Sequence, residues 1–259
     1  MSVVCRLPPE MTQRYFLSQP PDKDHLAVLD GDEARHLTKV MRKKIGEEVF
    51  LFDGSGTEYR AAVSAIARSQ VTLLIRESRQ SHLERTIPLT LATALPKGER
   101  QKWLVEKLTE LGCTRLIPLH TELSVAKAEP QVVQRLGRYV IEASKQCGRL
   151  RLMEIGPQTD FESILNRLGG DEAAANLLIH PISDEHVGQL DIHDWIVSRQ
   201  KSPATPGSLN VLIGPEGGFS PGEVQMALEK RWIPLDLGPR VLRTETAAIA
   251  VCAVLSAFK

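Results

Sequence analysis

Two stretches of the sequence carry residues whose types and spacing could do chemistry. The first is Leu212-Ile213-Gly214-Pro215-Glu216-Gly217-Gly218-Phe219-Ser220-Pro221-Gly222-Glu223. Gly217 and Gly218 let main chain approach a ligand with no Cβ in the way, so this stretch suits a cradle built from backbone groups. Ser220, Pro221 and Glu223 then supply an N-cap, a proline at the first helical position and the carboxylate of a capping box. A tight strand-to-helix turn accounts for Ser220 to Glu223 but does not require the double glycine. No Gly-Lys-Ser/Thr follows, so this is not a phosphate-binding P-loop, and the spacing misses the GxGxxG of dinucleotide folds. The second stretch, Leu237-Gly238-Pro239-Arg240-Val241-Leu242-Arg243-Thr244-Glu245-Thr246-Ala247, leaves a strand through Gly-Pro and enters a very apolar helix. Arg240 and Arg243 there could hold an anionic or planar partner such as a phosphate or a base. A local ion pair with Glu245 is the plainer alternative.

Regular elements must present these stretches, and the hydrophobic pattern supplies them. After Arg85, strands at Pro88 to Leu95, Arg115 to His120, Leu177 to His180 and Val211 to Gly214 alternate with helices. The helices run from Glu99 to Leu111, Pro130 to Cys147, Pro221 to Lys230 and about Ala247 to Phe258. This alternation implies βαβ units and a mostly parallel sheet. The ligand crevice of such a sheet lies beyond the carboxyl ends of its strands, where Ala94 to Lys97, His180 and both stretches above fall. Before residue 78 the pattern is strand-like, at Arg14 to Leu17, Glu48 to Phe52, Thr57 to Ile66 and Val71 to Ile75. Asp53-Gly54-Ser55-Gly56 makes a turn, and one helix from about Asp32 to Lys44 interrupts. Short strands with one helix suggest a small β-barrel-like domain.

Composition removes several classes. The chain has 259 residues, 25% charged and 5% aromatic, which excludes disordered, collagenous and disulfide-framework proteins. Cys5, Cys113, Cys147 and Cys252 show neither CxxC pairing nor a nearby His at zinc-finger spacing, so no metal is expected. The histidines form no HExxH and no Ser/His/Asp arrangement, which leaves a zinc or serine hydrolase without support. The longest apolar run, Ala247 to Leu255, falls well short of the roughly 20 residues that cross a bilayer. The N-terminus lacks the apolar core of a signal peptide, so a cytoplasmic location is expected.

The formal net charge is zero, but only by cancellation. Residues 1–151 hold 24 basic and 18 acidic side chains, while residues 152–230 hold 4 and 12. Arg35 to Lys44 carries five Lys or Arg and no acid. Arg135, Arg138, Lys145, Arg149 and Arg151 form a second cluster. A charge run is usually a solvated helix face, but two of them in a neutral chain point toward a nucleic acid. The expectation is a cationic RNA-facing surface built from the small domain and residues 97–151.

Taken together, several motifs resemble one family. They are the Arg14-Tyr15-Phe16 strand, the His36-Leu37-x-x-Val40-x-Arg42 helix, Glu142-Ala143-Ser144-Lys145-Gln146-Cys147-Gly148-Arg149, Ile213 to Ser220 and Leu237 to Ala247. In that order they resemble the bacterial 16S ribosomal RNA uracil-N3 methyltransferase family of the SPOUT superfamily. The resemblance covers nearly the whole chain, and its last two motifs are specific. Lys145 departs from the acidic or polar residue usual there, and Met41 replaces a common Leu conservatively.

The resemblance implies an α/β fold with a SPOUT-type parallel sheet and a C-terminal trefoil knot. A small PUA-like β-barrel RNA-binding domain over residues 1–78 would precede this knotted domain, which would cover residues 84–259. It implies a homodimer and S-adenosyl-L-methionine held by Thr93, Ala94, Leu95, Ile213, Gly214, Pro215, Glu216, Gly217, Gly218, Leu237, Gly238, Leu242, Arg243 and Thr246. RNA contacts would come from Arg14, His36, Arg42, Lys43, Lys97 and Arg149.

The implied reaction is methylation of N3 of a uridine in 16S ribosomal RNA, free or within the small subunit. Arg243 and secondarily Arg240 would stabilise the imide anion, with Glu245 or Glu216 as base. A related enzyme acting on ribose 2′-oxygen or transfer RNA would use the same cofactor loops. A non-catalytic RNA-binding assembly factor is the alternative of a different class.

Overall fold

A computed structural model describes residues 13–81, 84–124, 130–180, 190–200 and 205–256. The chain divides into two compact units, residues 1–84 with 144–152, and residues 85–143 with 153–259.

The first unit contains β1 (Arg14–Phe16), β2 (Leu26–Asp30), α1 (Gly31–Arg35), a π-helical turn (His36–Val40), β3 (Glu48–Phe52), β4 (Thr57–Ile66) and β5 (Gln70–Gln80). Its sheet runs β1-β3-β4-β5-β2, with β1 parallel to β3 and the other pairs antiparallel. Side chains alternate between faces, and the inward set includes Tyr15, Leu29, Leu51, Val63 and Leu73, with Leu37 of the π-helical turn in the same core, all essentially buried. Each such side chain contributes about 1.5–3 kcal/mol relative to exposure. Strand β2 was not anticipated from the sequence, although its Leu-Ala-Val-Leu run alternates exposed and buried. The expected helix from Asp32 to Lys44 stops at Val40. Arg42 adopts left-handed backbone (φ 53°), and the Lys43 N–H donates to the Leu37 carbonyl at 3.1 Å. The helix therefore closes on itself before reaching its last cations.

The second unit begins with β6 (Leu89–Thr93), α2 (Arg100–Glu110), β7 (Arg115–His120), α3 (Pro130–Cys147), β8 (Glu154–Ile155), β9 (Thr159–Asp160) and α4 (Phe161–Leu168). It continues with β10 (Ala174–Ile179), β11 (Leu190–Asp191), α5 (Ile192–Gln200), β12 (Ser208–Ile213), α6 (Pro221–Glu229), β13 (Ile233–Asp236) and α7 (Thr244–Leu255). The sheet order is β11-β13-β10-β12-β6-β7-β8, with every pairing parallel and β9 adding to β7 off this path. Strands β10 and β12 are buried along nearly their full length, as continuous Val/Ile/Leu runs require when helices cover both faces.

One polar pair interrupts that apolar interior. Asn176 and Asn210 lie opposite each other on β10 and β12, and the Asn210 amide donates to Asn176 Oδ1 at 2.8 Å. A one-residue slip would separate two buried amides, so the pair pins the register. Helix α4, absent from the sequence expectation, is capped by Asp160, whose carboxylate accepts from the Ser163 N–H at 2.8 Å. That hydrogen bond holds the Asp160 carboxyl below its ordinary value.

Register decides where the strands end. Thr93 of β6 lies opposite Ile213 of β12, Ile213 opposite Ile179 of β10, and Ile179 opposite Leu235 of β13. The chain leaves four neighbouring strands at nearly one level, and the chemistry-bearing stretches start there.

Candidate active site at the carboxyl edge of the parallel sheet

A cavity of about 310 Å³ opens at that level. Its walls are the glycine-rich stretch Gly214 to Phe219 after β12 and the segment after β13, including Leu237, Arg240, Val241 and Leu242. Ile179 and His180 close it from the end of β10. The location follows from topology, because beyond their last ladder hydrogen bonds parallel strands leave backbone groups free to meet a ligand.

The glycine stretch is shaped by close approach. A Cβ on Gly214 would lie 2.9 Å from the carbonyl carbon of Gly218 and 3.0 Å from its oxygen, so only glycine fits. The Gly218 N–H donates to the Pro215 carbonyl at 2.8 Å, and Gly218 takes a φ of 74°. Past the turn, Ser220 caps α6 in a complete capping box with Glu223. The Glu223 carboxylate is used on both oxygens: Oε2 accepts from Ser220 N–H and Oε1 from Glu122 N–H, each at 2.9 Å. The Thr244 hydroxyl donates to the Gly214 carbonyl at 3.2 Å and ties α7 to the loop.

Of the residues expected to hold a cofactor, Ile213, Gly214, Pro215, Glu216, Gly217, Gly218, Leu237 and Leu242 line this cavity. Ala94 and Leu95 instead line a second pocket of about 240 Å³ with Pro96, Lys97, Arg100 and Ser124. Pro215 and Glu216 border both. Thr93 is fully buried, and its hydroxyl donates to the Ala94 carbonyl at 3.3 Å. Gly238 has a φ of 108° and stands next to the lining residue Leu237. Arg243 and Thr246 are exposed and line neither space.

The candidate catalytic residues separate by environment. Arg240 lines the cavity and is exposed. Arg243 is the N-cap residue of α7, makes no side-chain cap bond, and has no ion pair among the described residues. Glu245, in the first turn of α7, is buried. The alternative of a local Arg240 or Arg243 pair with Glu245 is not what forms. Its carboxylate meets Arg100 at 3.3 Å instead, and Arg100 also lies 3.5 Å from Glu216.

Sequence reasoning passed over Arg100 and Asp236. Arg100 follows Lys97 in the same turn-to-helix connection but lies outside any glycine-rich motif. Asp236 is the last residue of β13, 5% exposed, and it lines the cavity. One of its oxygens accepts the Leu237 N–H at 2.8 Å. An acid ending an otherwise apolar strand was the available signal.

In the first unit, much of the expected cationic surface is internally neutralised. Arg14 donates to Glu58 at 2.8 Å, and Arg79 holds the other oxygen of this buried carboxylate. Arg149, 7% exposed, pairs with Glu84, and Lys43 pairs with Glu47. Lys145, the departure from the family pattern, forms a 2.7 Å ion pair with Glu33. The Gln13 side-chain amide donates to the His36 ring, 3.0 Å from its Nε2. Lys39, Arg42 and Lys44 around the π-helical turn are exposed and have no ion pair among the described residues, and the same holds for Lys23, Arg68, Arg76 and Arg151 elsewhere in the unit.

No cluster of three or more His, Cys, Asp or Glu able to hold a metal occurs among the described residues, and no described helix is long and apolar enough to cross a membrane.

A family model described as an RNA methyltransferase domain matches residues 83–256, and one described as an RNA methyltransferase PUA domain matches residues 29–76. The chain is 28% identical over 251 residues to ribosomal RNA small subunit methyltransferase E of Bacillus subtilis, covering 94% of this chain and 96% of that one. It is 30% identical over 231 residues to the Synechocystis protein of the same name, covering 89% and 73%. A solved Legionella pneumophila structure, assigned as a methyltransferase and holding bound SAM, shares 30% identity at a TM-score of 0.80, over 95% of this chain and 97% of that one. With a matching family model across most of its length and relatives at this identity end to end, the chain belongs to the ribosomal RNA small subunit methyltransferase E family of RNA methyltransferases.

Proposed function

We propose that this chain uses S-adenosyl-L-methionine to methylate N3 of a uridine in 16S ribosomal RNA of the small subunit. The observation that carries the reading is the cavity bounded by the Gly214 to Gly218 turn and the segment after β13. Its volume of about 310 Å³ falls in the range of small-molecule sites. Its walls are glycine backbone and aliphatic side chains, a surface suited to an adenosine, and its buried acid Asp236 has the sign needed for a cation. When bound, the cofactor supplies an electrophilic methyl group on a positively charged sulfur.

The remaining work falls to this chain. Gly214, Pro215, Gly217 and Gly218, with Ile213, Leu237, Gly238 and Leu242, would hold the cofactor mainly through backbone groups. Thr93, Ala94, Leu95 and Thr246 would support that wall. Uracil N3 carries an imide proton and becomes nucleophilic only as the proton leaves. Glu216 borders both the cavity and the second pocket, which suits it to receive that proton. Arg243 and Arg240 would stabilise the anion developing on the imide. Lys97, Arg42 and Lys43, with Arg14, His36 and Arg149, would contact RNA.

The proposal extends to a homodimer, a trefoil-knotted C-terminal segment, a division into domains 1–78 and 84–259, and action in the cytoplasm. For the dimer, support comes from Val241, 89% exposed beside the cavity, an apolar side chain that a second copy would cover.

Asp236 offers a direct check on the cavity. S-adenosylmethionine carries a net positive charge and its demethylated product is neutral. Replacing Asp236 by Asn should weaken the charged ligand by about tenfold, about 1.4 kcal/mol, and the neutral one far less. Calorimetric titrations with both ligands measure the difference; equal losses would count against the role. The activity is tested by mass spectrometry of 16S ribosomal RNA from a strain lacking the protein. An N3-methylated uridine should be missing, and purified protein with small subunits should restore it. Persistence of that nucleotide, or loss of a ribose or transfer-RNA methyl instead, would overturn the assignment.

A further inference from the structure

Among the described residues, Arg100 reaches both segments bounding the cavity with its side chain, although it belongs to neither. It stands at the first position of α2, and its Nη1 lies 3.3 Å from Glu245 Oε1 and 3.5 Å from Glu216 Oε1. The Glu245 side chain is 4% exposed, and its Oε2 has no hydrogen-bond partner among the described residues. A carboxylate withdrawn from water with one oxygen empty is costly unless a cation compensates it. The first turn of α7 favours negative charge through its free N–H groups. Beyond that, Arg100 is its only ion-pair partner among the described residues.

The geometry has a second feature. Both contacts are longer than the ~2.7–2.9 Å of a tight charge-assisted hydrogen bond, and both converge on one nitrogen. The guanidinium is shared between two carboxylates and does not use its two-pronged fork. The ladder hydrogen bonds of β6, β12 and β13 have ended before Arg100, Glu216 and Glu245, so beyond the sheet this cation joins the three connections. Thr244 to the Gly214 carbonyl is a second side-chain link among the described residues.

We propose that Arg100 is a positioning residue: by holding Glu216 of the glycine turn and Glu245 of α7 on one cation, it sets the gap between the two walls of the cavity. This rests on the reading of that cavity as the cofactor site. Without the cation, the Gly214 to Gly218 turn keeps its own Gly218 to Pro215 bond and the Thr244 contact among the described residues, and the walls are free to separate. Because one nitrogen serves both carboxylates, a lysine should replace Arg100 largely intact, whereas a neutral side chain of similar length should not.

The test uses the full chain with Arg100→Met, Arg100→Lys, Glu245→Gln and the double variant Arg100→Met/Glu245→Gln. S-adenosylhomocysteine binding is measured by calorimetry, and the thermal midpoint is measured without ligand. Arg100→Met should weaken binding about tenfold or more, and Arg100→Lys by about threefold or less. Adding Glu245→Gln to Arg100→Met removes the unpaired buried charge, so the midpoint should recover while affinity stays low. If Arg100→Met does not fold, the double variant is compared with the wild type and should bind about tenfold more weakly or worse, with Glu245→Gln alone already showing part of that loss; wild-type affinity in the double variant would equally overturn the proposal. Unchanged affinity in Arg100→Met, or recovery of affinity and midpoint together in the double variant, would overturn the proposal. Failure of the wild-type chain to bind S-adenosylhomocysteine at all would overturn the cofactor reading instead, so the two failures are told apart.

Discussion

Replacing Arg243 by Ala is expected to lower methylation of ribosomal RNA by about 10²–10³-fold, the range lost when a single preorganised donor to a developing anion is removed. The fold should survive. Arg243 is exposed, makes no side-chain cap bond as the N-cap of α7, and has no ion pair among the described residues. Its removal therefore leaves no buried group unsatisfied, and a residue whose side chain does not cap can be truncated at little cost to its helix. Cofactor affinity should also hold, because Arg243 does not line the cavity. Three measurements on one variant separate the possibilities: turnover on small subunits, cofactor binding by calorimetry and the thermal midpoint. Wild-type turnover would remove Arg243 from the reaction. A collapsed midpoint would mean that its role is structural.

Replacing Gly214 by Ala should have the opposite signature, with binding lost first. The new methyl would press 2.9 Å from the Gly218 carbonyl carbon and 3.0 Å from its oxygen. Both are backbone atoms of the same turn and cannot swing aside as a flexible side chain would. Overpacking of this kind costs about 1–3 kcal/mol, and relief means moving the turn that walls the cavity. Cofactor affinity should fall by about ten- to a hundredfold if that strain is paid on binding. Gly222, in the first turn of α6 and outside the cavity lining, is the internal control. A methyl there would meet only Ser220 Oγ, at 3.9 Å, and the residue is exposed. Gly222→Ala should bind nearly as the wild type does. Equal losses at the two positions would show that the segment responds to any added Cβ and not to the close approach at Gly214.

Much of this site is legible in the residue order alone. Strands β3, β4 and β7 and helix α3 have the boundaries that hydrophobic period and Gly stops indicate, because those signals are local. The capping box of Ser220 and Glu223 is local too, and it forms as read. Helices α4 and α5 and strand β2 were missed. The apolar runs of β2 and α4 are short, and that of α5 is only weakly periodic, so packing against neighbours, not propensity, decides such segments. The helix expected through Lys44 ends at Val40 because a backbone hydrogen bond to Leu37 and a left-handed Arg42 close it, and nothing in the residue types demanded that geometry.

Charge shows the same division at a larger scale. The basic excess before residue 152 is a property of composition, and it was read as a cationic face. Folding pairs Arg14 and Arg79 with Glu58, Arg149 with Glu84, and Lys145 with Glu33. Lys39, Arg42 and Lys44 stay exposed without an ion pair among the described residues, as do the scattered Lys23, Arg68, Arg76 and Arg151. Partners far apart in sequence cannot be matched by counting, since ion pairing depends on distances of a few ångströms that only the packed chain defines.

By itself the sequence determined which residues could form a backbone-lined cradle, that strands would end beside it, and that the chain would be of mixed α/β class. These follow from glycine's missing Cβ, from period and from capping chemistry, all of which act within a few residues. The tertiary structure alone decided that Arg100 meets Glu216 and Glu245 across 116 and 145 positions, that Asp236 faces the cavity, and that Arg243 stands apart from it. Such contacts are set by the register of parallel strands whose partners lie far along the chain, and no local pattern encodes which strand ends will meet.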